Sequence, residues 1–136
     1  MESTAIRSTL RNCEIFKGFD DAHLDYLIRN GRIKQFAEGR DIYQKGEAAD
    51  GTFCFIVSGT VNVISEHGEI LQTIGPQIIL GEIGTVSPQS KRTITVRAAQ
   101  PVEALEWNFE KIQKDFPELF ERLRALALKR TLNWYY

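Results

Sequence analysis

The stretch Leu80-Gly81-Glu82-Ile83, followed by Arg92-Thr93-Ile94-Thr95-Val96-Arg97-Ala98, decides the reading of this chain. It sets a Gly-Glu pair, a short polar loop and an Arg-Thr pair where they can close around one small anion. An arginine's planar fork meets a phosphate through two parallel hydrogen bonds. A glutamate is repelled by that phosphate and accepts instead from sugar hydroxyls beside it. Gly81 permits close backbone approach, and the amides after it can point at the anion. Arginine for phosphate, glutamate for ribose and a strand threonine for one more oxygen describe a site for a cyclic nucleotide.

An upstream block runs Gly39-Arg40-Asp41-Ile42-Tyr43-Gln44-Lys45-Gly46-Glu47, then Phe53-Cys54-Phe55-Ile56-Val57-Ser58-Gly59-Thr60-Val61-Asn62-Val63, with a Gly75-Pro76 turn ahead of the Gly-Glu pair. In this order the blocks resemble the cyclic-nucleotide-binding domain family. That family includes the catabolite activator protein and the ligand domains of protein kinase A regulatory subunits. The resemblance covers the chain from about Phe16 to its end. It implies a mainly β fold with flanking helices, a double-stranded β-helix or jelly-roll barrel. It also implies a ligand-contacting set of Gly81, Glu82, Ile83, Arg92 and Thr93, with Glu82 on the ribose 2′-hydroxyl. Thr93 would approach the cyclic phosphate and a guanine amino group.

The chain departs from the family pattern at several points. Leu80 stands where phenylalanine is frequent, and Gln77 where glycine is common after the Gly-Pro turn. Ile83-Gly84-Thr85-Val86 replaces the usual Leu-Ala/Gly-Leu, and Ile94 follows Arg-Thr where alanine is usual. Gly84 weakens a helix there by about 1 kcal/mol relative to alanine. Gly81, Glu82, Arg92 and Thr93 are untouched by these changes.

A length of 136 residues suits one domain with a real core. Within it, 1–31 read as N-terminal helices, 32–107 as a β-roll and 108–136 as C-terminal helices. A net charge of −1 gives no pull toward DNA or anionic membranes. No apolar run is long enough to span a membrane, and the N-terminus lacks a signal-peptide core. Only Cys13 and Cys54 occur, which suits a reducing cytoplasm.

Asp20 or Asp21 caps a helix carrying Leu24, Leu27 and Ile28, stopped by Gly31. Short β-rich runs follow, separated by turn residues: Arg32–Ala37, Asp41–Gln44, Thr52–Val57, Thr60–Ser65, Glu69–Thr73, Thr93–Ala98 and Val102–Trp107. Glu66-His67-Gly68-Glu69 reads as a hairpin turn. Asn108 caps a short helix and Pro117 opens another. This last helix carries two apolar lines. One is Phe116, Leu119, Phe120, Leu123, Ala127 and Trp134, and the other Ala125, Leu128, Leu132 and Tyr135. Either they merge into one wide core face, or the second line serves a partner: a ligand, another subunit or a missing domain.

Other chemistry is sparse. His23 and His67 have no partners at metal-ligand spacing, and no Ser-His-Asp set, P-loop or dinucleotide fingerprint occurs. Lys91 reads as solvated and Arg97 as structural or surface. Asp20, Asp21 and Asp115 read as helix-end charges. Trp134-Tyr135-Tyr136 either stacks on a base, packs in the core or anchors an interface.

The expected function is to bind cyclic AMP, more than cyclic GMP, as a regulatory sensor signalling through the C-terminal helix. No enzyme activity, cofactor or metal is expected. A homodimer through the C-terminal helix is expected, and direct nucleic-acid binding is not, because the chain ends before a winged helix-turn-helix. The alternatives are an interaction or scaffold domain that kept the fold and lost the ligand, and an enzyme fragment or regulatory subunit whose catalytic partner is a separate chain.

Overall fold

The computed structural model describes residues 3–82, 91–92 and 94–133. Helix α1 (Ser3–Arg11) buries Ile6 and Leu10, one turn apart, and a single 3-10 turn (Glu14–Phe16) buries Phe16. Helix α2 (Asp21–Asn30) is capped by Asp20, whose carboxylate accepts from the His23 amide at 3.0 Å. It ends at Gly31, whose backbone is extended, and only glycine fits there, since a Cβ would sit 2.9 Å from Trp107 Nε1. That indole N–H donates to the Leu27 carbonyl at 2.8 Å, tying α2 to the sheet behind it.

Among the described residues eight strands follow: β1 (Arg32–Phe36), β2 (Asp41–Tyr43), β3 (Thr52–Ser58), β4 (Val61–Ile64), β5 (Ile70–Ile74), β6 (Ile78–Leu80), β7 (Thr95–Ala98) and β8 (Val102–Asn108). They form two antiparallel four-stranded sheets, ordered β1-β8-β3-β6 and β2-β7-β4-β5. The jelly-roll expectation is met by two facing sheets, with no ladder among the described residues closing them into a barrel.

Alternation along β3 explains its unbroken apolar run. Phe53, Phe55 and Val57 face the helices, while Cys54 and Ile56 face the second sheet. The first sheet is therefore covered on both sides. Leu24, Leu27, Trp107 and Leu119 fill the helix side, and Val61, Val96 and Leu80 the space between the sheets.

The expected runs match these strands to within a residue or two. The exceptions are the Thr93–Ala98 run, whose strand begins at Thr95, and β6, which the pattern did not foresee. At three residues between Gly75-Pro76 and Gly81, β6 is too short to show a period. It is held by pairing Ile78, Ile79 and Leu80 with Ile56, Phe55 and Cys54. Helix α3 (Phe109–Asp115) is capped by Asn108, and α4 (Pro117–Asn133) docks through Leu119, Phe120, Leu123 and Ala127.

Candidate anion site at the end of β6

β6 delivers Gly81 into the space between the sheets. Its φ of 86° is in the left-handed region. A Cβ there would lie 2.6 Å from Tyr43 Oη and 3.0 Å from Arg92 Nη1, so only glycine fits. The guanidinium edge at Nη1 thus faces the backbone at Gly81.

Arg92 is 6% exposed. Its backbone is clamped before β7 begins: its amide donates to Glu47 O at 2.8 Å, and its carbonyl accepts from Gly46 at 2.9 Å. On the side chain, Nη2 donates to Asp50 Oδ1 at 2.9 Å and lies 3.4 Å from Thr52 O. The guanidinium lies over the Tyr43 ring, 4.0 Å from its centroid. Burial alone would raise the Asp50 pKa. A hydrogen bond from the Thr52 hydroxyl and the charge of Arg92 outweigh it and hold the carboxyl below its ordinary value. Asp50 is thus a charged counterion on one edge of Arg92.

Behind Arg92 lies a cavity of about 140 Å³ lined by Lys34, Tyr43, Glu47, Asp50 and Glu106 among others. Its carboxylates Glu47, Asp50 and Glu106 face two cations, Lys34 and Arg92 itself.

Glu82 is 3% exposed, and its Oε1 accepts from Arg130 Nη1 of α4 at 2.5 Å. The same Nη1 also donates to the Ile79 carbonyl at 2.6 Å. The carboxylate expected to face a ribose is therefore engaged by the C-terminal helix. Ile83 and Thr93, also expected to contact ligand, lie outside the described residues, as do Trp134, Tyr135 and Tyr136.

Tyr43, Asp50 and Arg130 were missed by sequence reasoning. Arg130 carried one signal: it falls on the line of Leu123 and Ala127, a cation on an apolar stripe. Asp50 and Tyr43 read as an ordinary turn acid and a strand aromatic. Lys91 is exposed, and Arg97 donates from Nε to Asp41 at 2.6 Å, a structural pairing. On α4 the first apolar line is buried from Phe116 to Ala127, whereas Ala125 and Leu128 are exposed. No group of His, Cys, Asp or Glu among the described residues suits a metal, and no described helix is long and apolar enough to cross a membrane.

The model of the cyclic nucleotide-binding domain matches residues 33–116. The chain belongs to the cyclic nucleotide-binding domain family. Among curated relatives, the CRP-like protein Clp of Xanthomonas oryzae pv. oryzae is 23% identical over 143 residues, covering 96% of this chain and 62% of the relative. Clp of Xanthomonas campestris pv. campestris aligns with the same identity and coverage. This chain thus spans less than two thirds of the relatives' length. Among solved structures, a cAMP-bound PfPKA-R superposes with a TM-score of 0.80 at 15% identity, covering 96% of this chain and 44% of that one. The regulatory subunit of a cAMP-independent protein kinase A from Trypanosoma brucei gives 0.78 at 18%, covering 98% and 50%. The Thermus thermophilus catabolite activator protein gives 0.74 at 19%, covering 88% and 58%. At these identities the likeness establishes the fold.

Proposed function

We propose that this domain binds a cyclic nucleotide, cyclic AMP in preference to cyclic GMP, and reports occupancy through α4. The phosphate sits on the Gly81 side of Arg92, with Ile83 and Thr93 completing the contacts. The observation that carries the reading is the guanidinium held beside Gly81: Asp50 bonds Nη2, while Nη1 lies so near the Gly81 backbone that a Cβ there would collide with it. Pre-oriented donors lower the ordering cost of binding an anion.

The route to α4 is the Glu82–Arg130 pair. A carboxylate has about four lone-pair sites, so a ribose 2′-hydroxyl can share Glu82 with Arg130. The ligand then changes the strength of a bond that anchors the helix. A cleft of about 420 Å³ with mostly apolar walls separates part of α4 from the 3-10 turn and β6, leaving space for the helix to shift. Such a switch requires different ligand affinities for the two helix positions. The domain has no catalytic role in this reading. The preference for cyclic AMP draws on the likeness to the cAMP-bound PfPKA-R.

A second reading is a ligand-independent interaction domain. It is favoured by the internal partners of both key side chains, Asp50 for Arg92 and Arg130 for Glu82. Calorimetric titration with cyclic AMP and cyclic GMP separates the two. Binding that falls about a hundredfold in Arg92→Ala, as expected from losing a pair of charge-assisted hydrogen bonds, supports the sensor. No heat with either nucleotide at millimolar concentration rejects it in favour of the interaction domain.

A further inference from the structure

Tyr43 touches both halves of the anion site at once. Its ring lies under the Arg92 guanidinium at 4.0 Å, and its hydroxyl lies where a side chain at position 81 would begin. Tyr43 is 9% exposed and Arg92 6%, so the contact is largely shielded from water. The hydroxyl donates to Cys54 Sγ at 3.4 Å, with Leu80 O also at 3.4 Å. It is thus bound to β3 and lies beside the carbonyl that precedes Gly81. Asp50, the ion-pair partner of Arg92, is itself 62% exposed on its side chain. An exposed carboxylate is a weak tether, because water and salt compete for it. A buried aromatic face is neither hydrated nor screened in that way.

We propose that Tyr43 is the positioning residue of the anion site: its ring is the platform that orients Arg92. The proposal rests on the reading of Arg92 as the phosphate ligand and deepens it. A guanidinium held over a ring face, its Cζ 4.0 Å from the centroid, is restricted in how its N–H groups can turn, so that a phosphate meets them already ordered. Attraction to a ring face is strongest when desolvated. A leucine in the same place would fill much of the volume without offering a charged face. The Arg92 fork would then rotate about its long stem, and each binding event would have to order it again.

The test is a series at position 43. Tyr43→Phe keeps the ring, and Tyr43→Leu removes it. A trifluorinated phenylalanine keeps the shape while draining negative charge from the face, and so carries the test if the leucine variant does not fold. The first readout is cyclic AMP affinity. The expectation is a change within about threefold for phenylalanine and a loss of about ten- to thirtyfold for leucine, with the fluorinated ring between them. A purely space-filling role would leave the fluorinated ring equal to phenylalanine.

The second readout needs no nucleotide: the rate of rotation about the Arg92 Cζ–Nε bond by NMR. That rotation is expected to be slow in wild type and Tyr43→Phe and at least about tenfold faster in Tyr43→Leu, with the fluorinated ring again intermediate. If wild type binds no cyclic AMP, the sensor reading fails, and the rotation series alone decides the role of Tyr43. Equal rotation rates for phenylalanine and its fluorinated form would overturn the proposal, as would equal affinities where binding occurs.

Discussion

Glu82, just past the end of β6, and Arg130, in the fourth helix, form an ion pair at 2.5 Å with side chains only 4% and 10% exposed. It links the candidate anion site to the element proposed to carry its signal. Removing one member of a buried pair costs far more than the pair adds, because the other charge stays in a low-dielectric place. Arg130→Ala is therefore expected to lower stability by about 3–5 kcal/mol. Arg130→Lys is expected to recover part of the loss, since it restores the charge without the fork. Urea unfolding of both variants measures the difference.

Glu82→Gln keeps the size of the side chain and removes its charge. Cyclic AMP is expected to bind about tenfold more weakly to this variant, the scale of one hydrogen bond to a charged group. A 2′-deoxy analogue has no hydroxyl to donate, so its affinity is expected to be nearly unchanged by the substitution. Titrating both ligands against both proteins closes the cycle. A coupling of zero would assign the carboxylate to Arg130 alone.

Gln77 has a φ of 65°, the left-handed region, at a position where the family commonly carries glycine. A side chain there costs about 1–2 kcal/mol. Glycine gives part of that back through its greater freedom when unfolded. Gln77→Gly is thus expected to raise stability by roughly 0.5–1 kcal/mol, a rise of about 3 °C in melting temperature. The hydrogen bond from its amide to Ile56 O at 2.8 Å uses backbone only and is retained.

Leu128 is 53% exposed on α4, with Ala125 exposed one turn earlier on the same face. Twofold pairing of this strip is the expected use of it, since closed dimers are the commonest assembly of identical chains. Sedimentation should find wild type dimeric at high micromolar concentration. The double variant Ala125→Glu, Leu128→Glu should be monomeric with its melting largely intact, because neither side chain enters the core. A monomeric wild type would reject the helix-mediated dimer.

Acid should weaken the fold by a defined route. The hydrogen bond from Arg97 holds the Asp41 carboxyl below its ordinary value of 3.8. The hydrogen bond from Tyr26 does the same for Asp115, and Asp50 is also lowered, against the effect of its burial. A carboxyl with a lower pKa when folded stabilises the fold above its unfolded value. That contribution disappears as pH falls through the folded value. Urea midpoints should therefore be level from pH 7 to about 5 and fall steeply below about 4. Asp41→Asn should be less stable at neutral pH and show a shallower acid limb.

Much of the fold was legible because its signals are local. Asp20 and Asn108 cap the helices they precede, and Pro117 opens α4. Seven of the strands follow runs of β-branched and aromatic residues between turns, and β6 escaped because three residues carry no period. The candidate site was legible in part. Gly81 and Arg92 stand together, whereas the expectation for Glu82 lacked its partner on α4.

The sequence by itself determined the order of elements, the apolar faces that dock them and the residue types fit for a phosphate and a sugar. These depend on spacings of a few residues, where backbone period and capping act. Only the tertiary structure decided which charges meet. Arg92 and Asp50 are 42 residues apart in sequence, and Glu82 and Arg130 are 48 apart. An arginine on an apolar stripe reads as misplaced until the sheet edge beneath it is known. A tyrosine in a short strand reads as core until the guanidinium above it is seen. Burial makes those pairings matter, because a charge removed from water needs a partner, and folding alone determines which partner is within reach.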